Sequence, residues 1–361
     1  MPNFLEINSH KGNYRAEFIL DISELVELVS QPRNFFLIDS NIALIYQKNF
    51  HKIIQSEASI LVDATEHSKS LKAIEDIIVA LLRLGIKRGD TLVGVGGGVI
   101  QDITCFISSL LFRGLDWIYL PTTLLAQADS CIGSKSSVNL ENAKNILGTF
   151  NPPKHIYICT NFLKSLHERE LRSGLGEILK VHAIDSIAQF NALAADYDRL
   201  LDNEVLLLSY IKNSLLIKKS YIEIDEFDKG IRNIFNYGHS FGHAIEVSSD
   251  YKIPHGIAVT IGMDMANYVA MKMGGINFQN YERMHKIFYK NFSQFIGHDI
   301  LYDKLINAIS KDKKNTSTAL VLILPHDVEC TIRKTEVMLD QSFKDICKNY
   351  LRNFHENKFE R

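Results

Sequence analysis

Along the first 160 residues, short apolar runs alternate with longer amphipathic stretches. The runs "FFLID" (35–39), "SILVDA" (59–64), "TLVGVGGG" (91–98), "WIYLP" (117–121) and "HIYIC" (155–159) are short, apolar and punctuated, as buried strands are. Between them, "SKSLKAIEDIIVALLRLGI" repeats apolar residues every three to four positions, the spacing of a helix with one buried face. Such alternation predicts βαβ units and a parallel sheet flanked by helices. "FLEIN" and "AEFIL" add two strands at its edge.

After "NPPK" (151–154) the pattern changes to long helical stretches over 168–195, 203–224, 236–248 and 256–273. The exception is "ALVLILP" with "ECTIRK" near 319–334, which reads as one hairpin. The predicted organisation is an α/β, Rossmann-like domain over residues 1–160 followed by a mostly α-helical domain over 161–361.

Composition narrows the partners. The 361 residues, 46% hydrophobic and 23% charged, suffice for two cores, and a net charge of -2 gives no reason to expect nucleic acid or a membrane surface. No apolar run reaches the roughly 18 residues a spanning helix needs. Cys105, Cys131, Cys159, Cys330 and Cys347 lack CxxC spacing, and "PNFLEINSHKGNY" lacks an export signal's basic-then-apolar order. A cytoplasmic protein acting on small molecules is expected.

Candidate chemistry begins at "GVGGGVIQD" (94–102), a glycine run between a strand and a helix, where backbone amides can approach a pyrophosphate. The spacing is not GxGxxG, and a tight turn without ligand would use similar glycines. Asp39 stands just past a strand, where a carboxylate can take ribose hydroxyls. Glu66 and Lys69 precede a helix, and Thr122 and Thr123 end another strand. A nicotinamide dinucleotide is the expected ligand.

His239, His243 and His255 fall within seventeen residues, and the first two, four apart, share a helix face. Catalytic zinc commonly takes three protein ligands, and Glu177 in "RSGLGEILK", where nearby Gly174 and Gly176 would leave its carboxylate accessible, is the best carboxylate to join histidines. Without HExxH the spacing alone is a modest signal. Asp129, Lys135, Asn139, Lys144 and Asn145 stand in a segment of small and apolar residues, and Lys180, Lys218, Asp228, Arg232, Asn236, Lys313 and Lys314 follow. Arg232, Asn236, His239 and His243 are at helical spacing, so a polar stripe on one helix is expected. Lysine binds phosphate as a point charge and arginine captures carboxylate bidentately, so a substrate bearing both groups would use these cations.

The motifs "GGGVIQD", "FRGLDWIYLPTTLLAQADSCIGSK", "NAKNILGTF", "ERELRSGLGEILK", "GIRNIFNYGHSFGHAIE", "PHGIAVTIGM" and "DKK", in this order, resemble the 3-dehydroquinate synthases of the sugar-phosphate cyclase family. The resemblance implies an NAD-binding α/β domain, a helical domain holding zinc or cobalt, and a homodimer. It implies Glu177, His239 and His255 as metal ligands, His243 as a proton-transfer residue paired with Asp228, and Lys180 as a catalytic residue lining the substrate. Asp129, Lys135, Asn145, Lys218, Arg232, Asn236 and one of Lys313 or Lys314 would contact the substrate, and Arg113 would reach its phosphate across the dimer interface. NAD would lie on Asp39, Asn41, Glu66, Lys69, Gly97, Gly98, Asp102, Thr122, Thr123, Lys144, Phe162 and Ser165. The implied reaction is that of a carbon–oxygen lyase of the shikimate pathway: transient oxidation, phosphate elimination, reduction, ring opening and aldol closure. Gln101 stands where glycine is usual, Ser134 likewise, and Asp228 replaces glutamate. These departures leave two alternatives: a cyclase for sedoheptulose 7-phosphate or glucose 6-phosphate, or a metal-dependent alcohol or glycerol dehydrogenase.

Overall fold

The computed structural model describes residues 3–141, 143–312, 315–316 and 319–358. The chain divides into two compact units, one formed by Met1–His167 with Lys218–Phe227 and the other by Glu168–Ile217 with Asp228–Arg361.

In the first unit, β1 (Phe4–Ile7), β2 (Tyr14–Phe18), β3 (Asn34–Asp39), β4 (Ser59–Val62), β5 (Thr91–Gly96) and β6 (Asp116–Pro121) precede a small hairpin, β7 (Val138–Leu140) and β8 (Ala143–Leu147), and then β9 (His155–Ile158). Seven of these form one sheet in the order β1-β2-β9-β6-β5-β3-β4. Only the β1–β2 pair is antiparallel; every other neighbouring pair is parallel. Helices cover the sheet, so its central strands are apolar on both faces: Phe36, Ile38, Val93, Val95 and Leu120 pack with Phe50 and Phe162 in one cluster, and the alternate positions Phe35, Leu37 and Leu92 are buried too. The helix Leu71–Arg83 starts where the Ser70 side chain accepts from the amide of Ala73 at 3.3 Å, and it buries Ile74, Ile77 and Leu81. Between β6 and β7 the chain forms a π-helical turn, Ala126–Ser130.

The second unit is helical apart from the hairpin β10 (Leu320–His326) and β11 (Thr331–Val337). The helix expected over 168–195 is two, Glu168–Asp185 and Ile187–Asp196. Ser186 breaks it with an extended backbone, its side chain accepting from the amide of Gln189 at 3.2 Å. The helix expected over 236–248 begins only at His239, behind Gly238 at φ +77°, and Ile231–Asn236 is a separate 3-10 turn. Arg232 and Asn236 therefore do not share a helical stripe with His239 and His243. Helices Phe278–Phe292, Tyr302–Ser310 and Gln341–Glu356 follow, and each buries an apolar face.

His255–Lys272 is the central helix, buried along nearly its whole length. Its Asp264, fully buried, is held by His285 Nδ1 at 2.9 and 3.0 Å and by the Tyr350 hydroxyl at 2.8 Å, partners that a buried carboxylate requires. It meets Glu168–Asp185 backbone to backbone: a Cβ on Gly176 would lie 2.2 Å from the carbonyl oxygen of Gly256, and one on Gly256 would lie 1.9 Å from that of Ser173. No helix among the described residues is long and apolar enough to cross a membrane.

Gly256→Ala should destabilise the protein by about 3 kcal/mol, the upper end of overpacking costs, in urea denaturation. His182 gives a pH test. Its Nδ1 donates to the carbonyl of Ile178 at 2.9 Å, its Nε2 accepts from Asn213 at 3.2 Å, and burial holds its pKa below the ordinary histidine value. Protonation therefore favours the unfolded chain. The His182 contribution is complete above the unfolded pKa of about 6.5 and is lost as pH falls below it, by at most about 1.4 kcal/mol per pH unit. His182→Gln should show a shallower loss of stability between pH 7 and pH 5 than the native protein; equal slopes would contradict this.

Candidate functional site

In the second unit the close helix contact carries chemistry. Glu177 follows Gly176 and His255 precedes Gly256, so the packing that needs both glycines sets the carboxylate beside the imidazole. Glu177 Oε1 lies 3.5 Å from His255 Nε2 and 3.9 Å from His239 Nε2, while Oε2 is ion-paired with Lys180. The nearby glycines lead one to expect an accessible Glu177; it is instead 1% exposed, and Gly176 serves helix approach. His243 joins the cluster: one ring nitrogen from each of His239, His243 and His255 lies within 4.8 Å of the others.

The outer ring nitrogens are occupied. His255 Nδ1 is 3.3 Å from the Glu246 carboxylate, and His239 Nδ1 is 3.2 Å from the carbonyl oxygen of Tyr237. Both rings therefore turn Nε2 toward Glu177, the pattern by which carboxylates and carbonyls orient metal-ligating histidines. Burial, with Lys180 and the neighbouring imidazoles, holds the His239 pKa well below the ordinary value, which keeps a lone pair available. At His255 burial acts the same way, but Glu246 and Glu177 outweigh it and raise the pKa.

This donor set fits a divalent cation. Two ligands about 2.1 Å from a tetrahedral zinc lie about 3.4 Å apart, close to the separations from Glu177. Two imidazole nitrogens and a carboxylate oxygen are a known catalytic zinc set that leaves a position open.

Around the cluster, Lys180 is buried with its ammonium 5.8 Å from the Phe235 ring centre. Arg232 is buried, and Asp228, at φ +55°, accepts from Asn233 through its carbonyl at 3.0 Å. Asn236 lines a cavity of about 140 Å³ with Asn233, Val321, Ile323 and Lys334. Lys313 and Lys314 lie outside the described residues. Sequence reasoning missed Glu246 and Lys334. Glu246 stands inside the histidine motif, but nothing in the sequence tells that it faces a ring nine residues on.

In the first unit, the Asp39 carboxylate ends β3, accepts from the amide of Asn41 at 2.9 Å, and has its pKa raised by burial. Gly96 is required by packing, since a Cβ there would meet Ile100 at 2.4 Å. Gly97 runs close to Thr123, and a Cβ on Gly98 would meet nothing within 4 Å. The amino end of helix Gly98–Leu110 thus opens on unfilled space, as a pyrophosphate cradle would. Thr122 donates its amide to the carbonyl of Gly96 at 3.0 Å.

One network joins residues expected to serve cofactor and substrate separately. Lys69 Nζ is 2.8 Å from Asp102 and donates to Asn145 Oδ1 at 2.9 Å. Ser137 bonds both Asp102 and Asn145, and Asn139 donates to Glu66 while accepting from the Asn145 amide. Burial raises the pKa of Asp102, against the opposing pull of Lys69 and Ser137. Lys144, Lys135 and Arg113 are exposed. Phe162 is fully buried against Tyr46 and Phe50, and Ser165 accepts from the Tyr46 hydroxyl at 3.1 Å. Lys218 is 2.7 Å from the Asp129 carboxylate and donates to the Asp129 carbonyl at 2.6 Å.

The chain matches known proteins over most of its length. Family models described as 3-dehydroquinate synthase N-terminal and 3-dehydroquinate synthase C-terminal match residues 59–173 and 174–315. The 3-dehydroquinate synthase of Dictyoglomus thermophilum is 35% identical over 344 residues, covering 95% of this chain and 90% of that protein. In fold, the chain is similar to 2-epi-5-epi-valiolone synthase from Streptomyces hygroscopicus subsp. jinggangensis, solved with NAD+ and Zn2+ bound, at a TM-score of 0.82 and 22% identity over 95% of this chain and 97% of that one. It is also similar to a 2-deoxy-scyllo-inosose synthase complexed with carbaglucose-6-phosphate, NAD+ and Co2+, at a TM-score of 0.80 and 23% identity over 96% of this chain and 99% of that one. On the extent of the match to the Dictyoglomus protein and on both family models, the chain belongs to the 3-dehydroquinate synthase family.

Proposed function

We propose that this protein converts 3-deoxy-D-arabino-heptulosonate 7-phosphate to 3-dehydroquinate and inorganic phosphate, with NAD and a divalent zinc or cobalt ion, as a cytoplasmic homodimer. The observation that carries the reading is Glu177 Oε1 standing 3.5 and 3.9 Å from two imidazole nitrogens whose rings are oriented from behind. Family membership at 35% identity supports the reaction, and the five buried thiols, all unpaired with one another, suit a reducing compartment.

When bound, NAD would take and later return one hydride, and the divalent ion would polarise the oxygen of the alcohol being oxidised. Glu177, His239 and His255 would hold the ion, and the open end of the glycine run with Asp39 would hold the dinucleotide. Loss of phosphate needs an acidic C–H next to the departing group, which a neighbouring ketone supplies. The chain's own residues then position anions and move protons. Arg232 offers a planar guanidinium to a carboxylate, and Lys180, whose ammonium neutralises Glu177, is poised to bond a substrate oxygen. His243, the exposed member of the histidine cluster, would transfer a proton at the substrate, a role shared with Asp228. Asp129 and Lys218 present a carboxylate and an ammonium together, suited to a hydroxyl beside an anionic group.

Two experiments test this. Incubated with NAD, zinc or cobalt and a panel of sugar phosphates, the purified protein should release phosphate from the seven-carbon keto acid phosphate without accumulating NADH. Release only from a carboxylate-free sugar phosphate, or net NADH from a simple alcohol, would replace the reading with the corresponding alternative. For the division of roles, His239→Ala should lose bound metal, whereas His243→Ala should retain it and lose turnover by about 10²- to 10⁴-fold. Equal metal loss in the two variants would place His243 among the ligands.

A further inference from the structure

We infer that Gln101 is a positioning residue that holds Asp129 and Lys218 in place for the substrate, by clamping the π-helical turn Ala126–Ser130. The inference rests on the proposal that Asp129 and Lys218 touch the sugar phosphate.

Gln101 lies in the helix Gly98–Leu110 and is 6% exposed. Its Nε2 donates to the carbonyl oxygen of Ser130 at 2.6 Å, and the Ser130 hydroxyl donates back to its Oε1 at 2.7 Å. Both ends of one planar amide are therefore spent on a single residue, which fixes that residue's orientation as well as its distance. Ser130 ends the π-helical turn and directly follows Asp129.

The turn needs such a clamp. It is one turn long, closed by the amide of Cys131 on the carbonyl of Ala126 at 3.0 Å, and isolated π-helical turns persist only where their surroundings hold them. Gln127 tethers the near side, its Nε2 donating to the carbonyls of Pro121 at 3.0 Å and Cys159 at 2.9 Å. Gln101 tethers the far side, so Asp129 hangs between two anchors. Lys218 bonds both the carboxylate and the carbonyl of Asp129, so the two side chains form one unit. If the far anchor is released, carboxylate and ammonium shift together.

The test uses the full chain and three variants: Gln101→Met, which keeps length and volume but loses both hydrogen bonds, Ser130→Ala, and the double substitution. Amide hydrogen exchange over residues 126–131 should accelerate at least about ten-fold in Gln101→Met while β5 exchanges as before. KM for the sugar phosphate should rise about ten-fold, since small misplacements of positioning groups are costly. NAD affinity, measured by calorimetry, should stay within about two-fold. The double variant should lose little beyond Gln101→Met alone, because both partners belong to one clamp. Unchanged exchange and KM in Gln101→Met overturn the inference. So does loosening spread evenly over the first unit, which marks a merely structural residue, and so do additive losses in the double variant. Failure of the functional proposal looks different: the native protein itself then turns over no sugar phosphate, and no substrate contact is left for Gln101 to position.

Discussion

Two helices touching without side chains between them is the constraint on which the second unit depends. Gly176 and Gly256 let Glu168–Asp185 and His255–Lys272 approach until a single Cβ would collide with a carbonyl oxygen. The contact repeats where Gly262 faces the carbonyl of Gly238, the residue that turns the chain into the His239 helix. Three helix segments are thereby pinned at short range, and each brings one donor: Glu177, His239 and His255. The carboxylate ends buried, a position costly for a lone charge and stable beside Lys180 and a cation.

Electrostatics complete what packing begins. Glu246 and the Tyr237 carbonyl each occupy the outer nitrogen of a ring, leaving the inner nitrogens directed at the same oxygen. His239 is held neutral by burial and by nearby cationic groups, and the carboxylates around His255 favour a positive charge there. A divalent cation would supply that charge without a proton, so one set of contacts would both orient such ligands and favour their occupant.

The first unit uses backbone in place of side chains. Parallel strands end together, so Asp39, the Gly96–Gly98 run and Thr122 gather along one edge of the sheet although the sequence spreads them over more than eighty residues. Near that edge the segment after β6 folds back as the π-helical turn and the β7–β8 hairpin. It thereby delivers Asn145 to Lys69 and Asp102. Neither the turn nor the hairpin has an apolar rhythm; each closes on local hydrogen bonds and is anchored by others to residues far away in the chain.

Much was legible before folding. Short apolar runs and three-to-four spacing belong to local burial, so the βαβ half, the helical half and the β10–β11 hairpin could be read from short windows. The histidine pair, Glu177 and the glycine run were visible as residue types suited to metal and pyrophosphate. Helix ends were less so: Ser186 and Gly238 break helices through one residue's backbone conformation, which apolar spacing does not record. By itself the sequence determined the elements, the donors available and their order. Only the tertiary structure decided which donors meet, that Glu246 orients His255, that Gln101 grips Ser130, and that Lys218–Phe227 belongs with the first unit. Such contacts join residues from nine to nearly ninety positions apart, and close packing, unlike periodicity, is a property of surfaces that exist only once the chain has folded.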